Sequence, residues 1–294
     1  MLTTNAAFEK FKSRLELSET EKQDASRREK DVRRVVDASF DVERDFLAGS
    51  YGRHTKTKPL KDVDIFVVLG EKEKHRRNKP AIATLDDLED CLVKEYGRDA
   101  VTPGRRCITV EFEKEMYAED TPEKVLSVDV IPAFESGSDY EIPDRDKKGW
   151  IKTNPEVHAD KATAKNKSLD GKWKPLVKMA KSWNRYNGKP IKPSFLIEVM
   201  ALDLLNGPFT TYDEELRSFF AAAQGAIEKT WPDPAGLGPA VSDQMTPELV
   251  EKAKTALAEA ERKAARAARA TSQGRQGEAL DLWQEILGPH FSKT

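Results

Sequence analysis

Cysteine is nearly absent from this chain. Its 294 residues include two, Cys91 and Cys107, too few and without a partner motif for a disulfide framework. Free thiols in a reducing cytoplasm are the expectation. Histidine is equally scarce: four, scattered, give no zinc-ligand constellation. No stretch approaches the roughly 20 apolar residues that a membrane span requires. Glu9, Lys10 and Lys12 interrupt any apolar core of a signal peptide. An excess of one charge is also missing. The 49 Lys and Arg nearly balance 51 Asp and Glu, for a net charge of −2, which argues against a protein whose main task is gripping nucleic acid. No internal repeat is present. What remains, 38% hydrophobic and 34% charged, suits a soluble globular chain of one large domain or two intimate ones.

The most informative segment is Gly49-Ser50, followed twelve residues later by Asp62-Val63-Asp64 and the apolar run Ile65-Phe66-Val67-Val68-Leu69. A strand alternates its side chains with period two, so Asp62 and Asp64 share a face that Val63 and Ile65 do not. The apolar run buries the strand and leaves the two acids at its exposed end. Adjacent carboxylates repel unless a cation lies between them. A hard divalent ion with oxygen ligands, Mg²⁺ with Mn²⁺ as an alternative, resolves the repulsion. Gly-Ser supplies a tight turn, backbone N–H groups and a hydroxyl, which suit a triphosphate tail. The bland alternative is a solvated strand rim.

A third acid, Asp129, lies in the β-prone run Val125-Leu126-Ser127-Val128-Asp129-Val130-Ile131-Pro132. Three carboxylates on adjacent strands can hold two metal ions, one activating an attacking hydroxyl and one clamping the triphosphate. Glu111 and Glu113 compete for this role, but their alternation marks the wet face of an amphipathic strand. Apolar residues bracket Asp129, which favours it.

Pattern sets the organisation. Residues 5–39 read as helical, with Thr20 capping a break between two segments. Strands are predicted at 62–69, 106–113 and 125–133, with a helix at 84–96 where Leu85, Leu88, Leu92 and Val93 share a face. Helices are predicted at 172–186, 194–206, 212–228, 246–270 and 277–287. Thr246-Pro247-Glu248 combines cap, N1 proline and early acid. The Ala-rich helix after it lacks the large a and d residues of a coiled coil and reads as a surface helix packed within its domain. Residues 233–239, rich in Pro and Gly, form a mobile loop. This is an α+β chain, divided at 1–155 and 156–294. The stretch from Arg145 to Arg185 carries a clear excess of Lys and Arg, either a solvated face or one wall of a cleft for triphosphates. On the helix at 172–186, Leu176, Met179, Ala180 and Trp183 form the core stripe. Lys174, Lys178 and Lys181 fall on another side, with Lys174 placed farther along the exposed face.

The segment Gly49-Ser50-Tyr51-Gly52-Arg53-His54-Thr55, then Asp62-Val63-Asp64, then Asp129 resembles the signature of the DNA polymerase β-like nucleotidyltransferases. Within that superfamily the chain is most similar to the bacterial cGAS/DncV-like nucleotidyltransferases, the cyclic-oligonucleotide synthases of CBASS anti-phage signalling and relatives of oligoadenylate synthase. Further matches are Trp150-Ile151-Lys152-Thr153-Asn154-Pro155, Leu176-Val177-Lys178-Met179-Ala180-Lys181-Ser182-Trp183-Asn184, Lys192-Pro193-Ser194-Phe195-Leu196-Ile197-Glu198 and Trp283-Gln284-Glu285-Ile286-Leu287-Gly288. The resemblance runs from about residue 45 to the end. It implies a polymerase β-like core with a mixed sheet and a C-terminal helical lobe completing the active-site cleft. Asp62 and Asp64 would hold two Mg²⁺ ions, and Asp129 the catalytic one. Gly49 and Ser50 would hold the β and γ phosphates. The resemblance singles out Lys181 and Ser194 as contacts of the donor nucleotide, although Ser194 also fits a plain N-cap. The implied reaction joins ATP, with or without a second NTP, into a cyclic di- or trinucleotide. An activating protein or ligand is an open possibility, and the modest charge makes a nucleic-acid activator the weaker one. The alternatives are transfer to an RNA 3′ end or a protein side chain, a linear oligoadenylate-type synthase, and a degenerate nucleotide-binding partner. The zinc-bearing insertion of the animal DNA-sensing relatives is not expected.

Overall fold

A computed structural model describes residues 2–112 and 127–293. Glu113, Val125 and Leu126, which figured in the strand readings, lie outside the described residues. The chain forms two compact units, one of residues 17–159 and one of 1–16 together with 160–294. Helix α1 (Thr4–Leu15) therefore groups with the C-terminal helices rather than with the residues that follow it, unlike the division at 155. The cause is aromatic: Phe8 packs edge-on against Trp283 at 4.8 Å and beside Phe291 at 5.2 Å.

The described residues of the 17–159 unit form a seven-stranded mixed sheet with helices packed on it. Strand β1 (Val42–Leu47) pairs antiparallel with β2 (Asp62–Leu69). Strands β3 (Val101–Pro103) and β4 (Ile108–Glu111) lead to β5 (Ser127–Ser136), and β5 runs parallel to β2. Strands β6 (Asp139–Asp144) and β7 (Gly149–Thr153) extend β5 as an antiparallel meander. Helices α2 (Glu19–Asp37) and α4 (Ala81–Tyr96) cover one face; Val32, Val36, Leu85, Leu88 and Leu92 pack there with Ile65, Val67, Val128 and Val130. The other face of β2 and β5 carries Phe66, Val68 and Ala133 beneath Tyr140 and Ile142.

Helix α2 begins two residues earlier than a cap at Thr20 implies. Ser18 is the N-cap, and it forms a reciprocal capping box with Glu21. The Ser-x-x-Glu pair satisfies two orphan donors at once; Thr20-x-x-Gln23 has an equivalent spacing but lies inside the first turn of the helix. Glu21 does more than cap: its second oxygen accepts from Leu60 N at 2.7 Å, tying α2 to the segment before β2.

The helical unit contains α1, the end of α5 (Pro155–Ser168), α6 (Trp173–Tyr186), α7 (Phe195–Leu204), α8 (Tyr212–Ala226), α9 (Pro247–Ser272) and α10 (Gln276–Leu287). Its core holds Trp173, Trp183, Trp283, Phe219 and Phe220. The long α9 buries Ala253, Leu257, Ala260, Ala264, Ala267 and Ala270 against α8 and α10. Small side chains let the neighbouring helices approach closely. Thr246 caps it, accepting from Leu249 N at 3.3 Å. Among the described residues no helix is long and apolar enough to cross a membrane.

Candidate active site

The period-two argument holds on β2. Val63, Ile65 and Val67 are buried, and Asp62 and Asp64 begin the opposite face, which continues as Phe66 and Val68. Strand β5 repeats the pattern, with Val128 and Val130 in the core and Asp129 between them. The parallel register sets Asp64 directly opposite Asp129. A fourth position joins from β4, where Thr109 is the register partner of Asp129 and donates its hydroxyl to Asp129 Oδ1 at 2.6 Å. Glu111 pairs with Ser127 instead and is exposed, as the wet-face reading expects.

Gly49 and Ser50 open α3 (Gly49–Gly52), a single helical turn that follows β1. Ala48 N donates to Asp64 O at 2.9 Å, which docks this turn onto the acidic end of β2. Gly49 has φ +57°, and a Cβ there would overlap the carboxylate of Asp64 and lie 3.1 Å from its Cβ. Both the left-handed backbone and the lack of space demand glycine. Gly49→Ala is expected to push the Asp64 carboxylate aside and cut turnover at least tenfold, while circular dichroism stays unchanged. The first N–H groups of a helical turn have no intrahelical carbonyl to bond and point toward an anion approaching that end.

The electrostatics follow from this crowding. Burial, followed by the charges of Asp129 and Asp62, pushes the Asp64 carboxyl up from 3.8 to about 6. Burial also raises Asp129, against the lowering effect of the Thr109 hydroxyl. Burial, with the Asp129 charge adding to it, pushes the nearby Cys107 thiol up to about 12, so Cys107 is an inert neutral group beside the acids. Lys56 supplies positive charge, with Nζ 2.6 Å from Asp62 Oδ2.

These carboxylates suit a divalent ion. The set is all oxygen, two of its members face each other across a parallel ladder, and Asp64 is held at a cost in the charged form that a cation would remove. As they stand, no three His, Cys, Asp or Glu among the described residues converge on one point for an ion. Lys56 and Thr109 were not legible as site residues in the sequence. Lys56 belongs to no periodic pattern, and Thr109 is identified only by strand register.

The two donor contacts implied by resemblance lie in the helical unit. Lys181 is buried on α6, and its ammonium is 2.5 Å from Glu198 Oε1 on α7, also buried. Lys178, one turn earlier, is likewise buried and reaches Glu16 at 2.6 Å. Lys174 is half-buried rather than exposed, and burial, followed by the charge of Lys178, lowers its pKa. The lysines thus form a partly desolvated row rather than a solvated face. Ser194 occupies the N-cap position of α7 but makes no side-chain cap bond, and the residue is exposed. Its hydroxyl is not used as the plain-cap reading requires.

The model of the Second Messenger Oligonucleotide or Dinucleotide Synthetase domain matches residues 1–166. A cyclic AMP-AMP-AMP synthase of Acinetobacter sp. is 28% identical over 318 aligned positions, covering 100% of this chain and 87% of the relative. The CBASS oligonucleotide cyclase CdnC of Escherichia coli is 28% identical over 284 positions, covering 85% of this chain and 83% of the relative. Among solved structures, E. coli CdnC with ATP superposes with a TM-score of 0.74 at 19% identity over 99% of both chains. Vibrio cholerae DncV, a cyclic AMP-GMP synthase, bound to a linear intermediate superposes with a TM-score of 0.64 at 16% identity, covering 85% of this chain and 69% of that one. Those likenesses show the fold, a polymerase β-like nucleotidyltransferase core joined to a helical unit. With more than half of its length matched, the chain belongs to the second-messenger oligonucleotide or dinucleotide synthetases and is a nucleotidyltransferase.

Proposed function

We propose that this enzyme joins ATP, with or without a second NTP, into a cyclic di- or trinucleotide that signals in cytoplasmic anti-phage defence. One observation carries the chemistry. Asp64 faces Asp129 across parallel strands, with Asp62 on the same face and the Gly49–Ser50 turn hydrogen-bonded onto the end of β2. The naming of relatives as cyclic AMP-AMP-AMP synthase and cyclic GMP-AMP synthase supports the product class.

Asp62, Asp64 and Asp129 would hold two Mg²⁺ ions. Bound there, such ions lower the pKa of a hydroxyl and neutralise charge on the reacting phosphates. Asp129 accepts the proton of the attacking ribose hydroxyl, and its bond from Thr109 fixes the carboxylate for that task. The backbone N–H groups of Gly49 and Ser50, with the Ser50 hydroxyl, take phosphate oxygens of the donor. Lys181 and Ser194 are donor contacts by resemblance. The ribose oxygen bonds to the donor α-phosphorus as the α–β anhydride bond breaks and pyrophosphate leaves; the linear intermediate then turns round, so that its own triphosphate becomes the donor and loses pyrophosphate on closure. Holding both ends at one site makes closure effectively unimolecular and favours it over extension. An activating protein partner or ligand belongs to the same proposal, supported by the solved complex of E. coli CdnC with a HORMA protein.

The test is incubation of the pure protein with labelled NTPs and Mg²⁺, followed by mass spectrometry. The expected product is small, resists phosphatase and carries no free 5′-triphosphate. A ladder of 5′-triphosphorylated linear products would indicate an oligoadenylate-type polymerase. Label appearing only in added tRNA would indicate an RNA-end transferase, and label on the protein a side-chain transferase.

A further inference from the structure

Lys56 lies in the segment between α3 and β2, and that segment is fixed on both sides of it. Thr55 and Thr57 are fully buried, and Thr55 N donates to Ser50 O at 2.9 Å. A lysine between two anchored residues would ordinarily send its ammonium to water along its flexible stem. This one turns inward. Its side chain is 12% exposed, and Nζ is 2.6 Å from Asp62 Oδ2. Its charge also acts on Asp64 and Asp129, so the one ammonium is felt by all three carboxylates. Buried Arg53 adds positive charge toward Asp64.

We propose that Lys56 is a built-in counter-cation that opposes divalent metal at the carboxylates until a nucleoside triphosphate arrives, and then passes its ammonium to the incoming phosphates. The proposal rests on the reading of Asp62, Asp64 and Asp129 as metal ligands. Three carboxylates on one sheet face require positive charge, and Lys56 supplies it within the chain. A divalent ion on Asp62 would share its carboxylate with Nζ, and two like charges so close repel. Metal binding alone therefore weakens the Lys56–Asp62 pair without giving the ammonium a new partner. A triphosphate provides one. It is a polyanion to which a compact ammonium on a flexible stem can swing. Metal and nucleotide then bind cooperatively, each favouring the other by the same factor. A fixed positive residue would hold the acids apart from metal permanently, whereas a lysine that can relocate couples the two ligands.

The experiment measures Mn²⁺ binding to the protein by the loss of the free-ion paramagnetic signal, with and without a non-hydrolysable ATP analogue. Lys56→Met is expected to bind Mn²⁺ at least tenfold more tightly than the wild type when nucleotide is absent, and to show much less gain in Mn²⁺ affinity on adding the analogue. Lys56→Arg should keep the weak nucleotide-free binding. Equal or weaker Mn²⁺ binding by Lys56→Met, with unchanged circular dichroism, overturns the proposal; so does a coupling as large as that of the wild type. Should Lys56→Met fold poorly, Lys56→Gln serves the same comparison. Asp62→Asn with Asp64→Asn separates the two readings. If that variant binds Mn²⁺ like the wild type, the assignment of the metal ligands fails. If it loses binding while Lys56→Met shows no gain, the role of Lys56 alone fails.

Discussion

Replacing Asp62 and Asp64 together by Asn is expected to abolish product formation while leaving the fold intact and, without metal, more stable at neutral pH than the wild type. The reason is that Asp64 is expensive in its charged form. Its folded-state pKa of about 6 stands above its ordinary 3.8. Below 3.8 the folded and unfolded chains both carry the proton. Between 3.8 and about 6 the folded protein keeps a proton that the unfolded chain has released, so stability falls as pH rises through that window. At about 1.4 kcal/mol per unit, the loss is about 3 kcal/mol, complete above pH about 6. Asn carries no such cost, and Asp129 loses a repelling neighbour. Thermal unfolding of the metal-free proteins at pH 4 and pH 8 should show the wild type losing stability and the double variant losing little. Mg²⁺ should raise the wild type's stability at pH 8 and leave the variant's unchanged. Retained synthesis by a folded double variant would remove these acids from the chemistry.

Lys181 carries the second large effect. Its ammonium and the carboxylate of Glu198 are both buried and 2.5 Å apart. Truncation to Ala breaks a buried ion pair by removing one partner, a change that costs about 3–5 kcal/mol. Urea unfolding followed by tryptophan fluorescence reads this directly, because Trp173, Trp183 and Trp283 lie in the core of the same unit. Pairing Lys181→Met with Glu198→Gln removes both charges and should recover most of the stability. That double variant, compared with Glu198→Gln alone, is also the one on which donor binding can be read. A loss of about 1–3 kcal/mol in ATP affinity is expected, the scale of one charge-assisted hydrogen bond. Lys174→Ala, with its ammonium 3.4 Å from Thr163 Oγ1, should change ATP affinity much less. Equal effects at both positions would point to a diffuse basic field.

The sequence made the acidic face legible because strand alternation is a strict geometric rule. Once Val63, Ile65, Val128 and Val130 are assigned to the core, Asp62, Asp64 and Asp129 have only the other face. Strand pairing is not local, so the direct opposition of Asp64 and Asp129 and the bond from Thr109 were beyond reach. Helix α5 escaped notice for a different reason. Its residues Pro155–Ser168 have no apolar stripe to find, and periodicity is silent on a helix that is polar nearly all round. Its start was nevertheless written in Asn154-Pro155-Glu156, the same cap, N1 proline and early acid that marked α9, and Asn154 Oδ1 does accept from Val157 N at 3.1 Å. Strands β1, β6 and β7 carry charged residues such as Arg44, Glu141 and Lys152 and lack the dense apolar runs of β2 and β5. The surroundings of Lys181 were hidden because spacing places a lysine on a helix face but does not say what covers that face.

The aromatic joint of Phe8 with Trp283 and Phe291 has a consequence for biosynthesis. The helical unit is written in two pieces, and the whole 17–159 unit lies between them. During translation the sheet bearing Asp62, Asp64 and Asp129 is complete in the nascent chain before most of the helices exist. Helix α1 must wait for residues made more than 250 positions later before its ring cluster can close. Closing so long a loop adds little entropy cost when the intervening chain is already compact, since the cost grows only with the logarithm of the free length. A compact sheet unit thus shortens the effective tether between Phe8 and Trp283, and a segment made late locks one made much earlier in place.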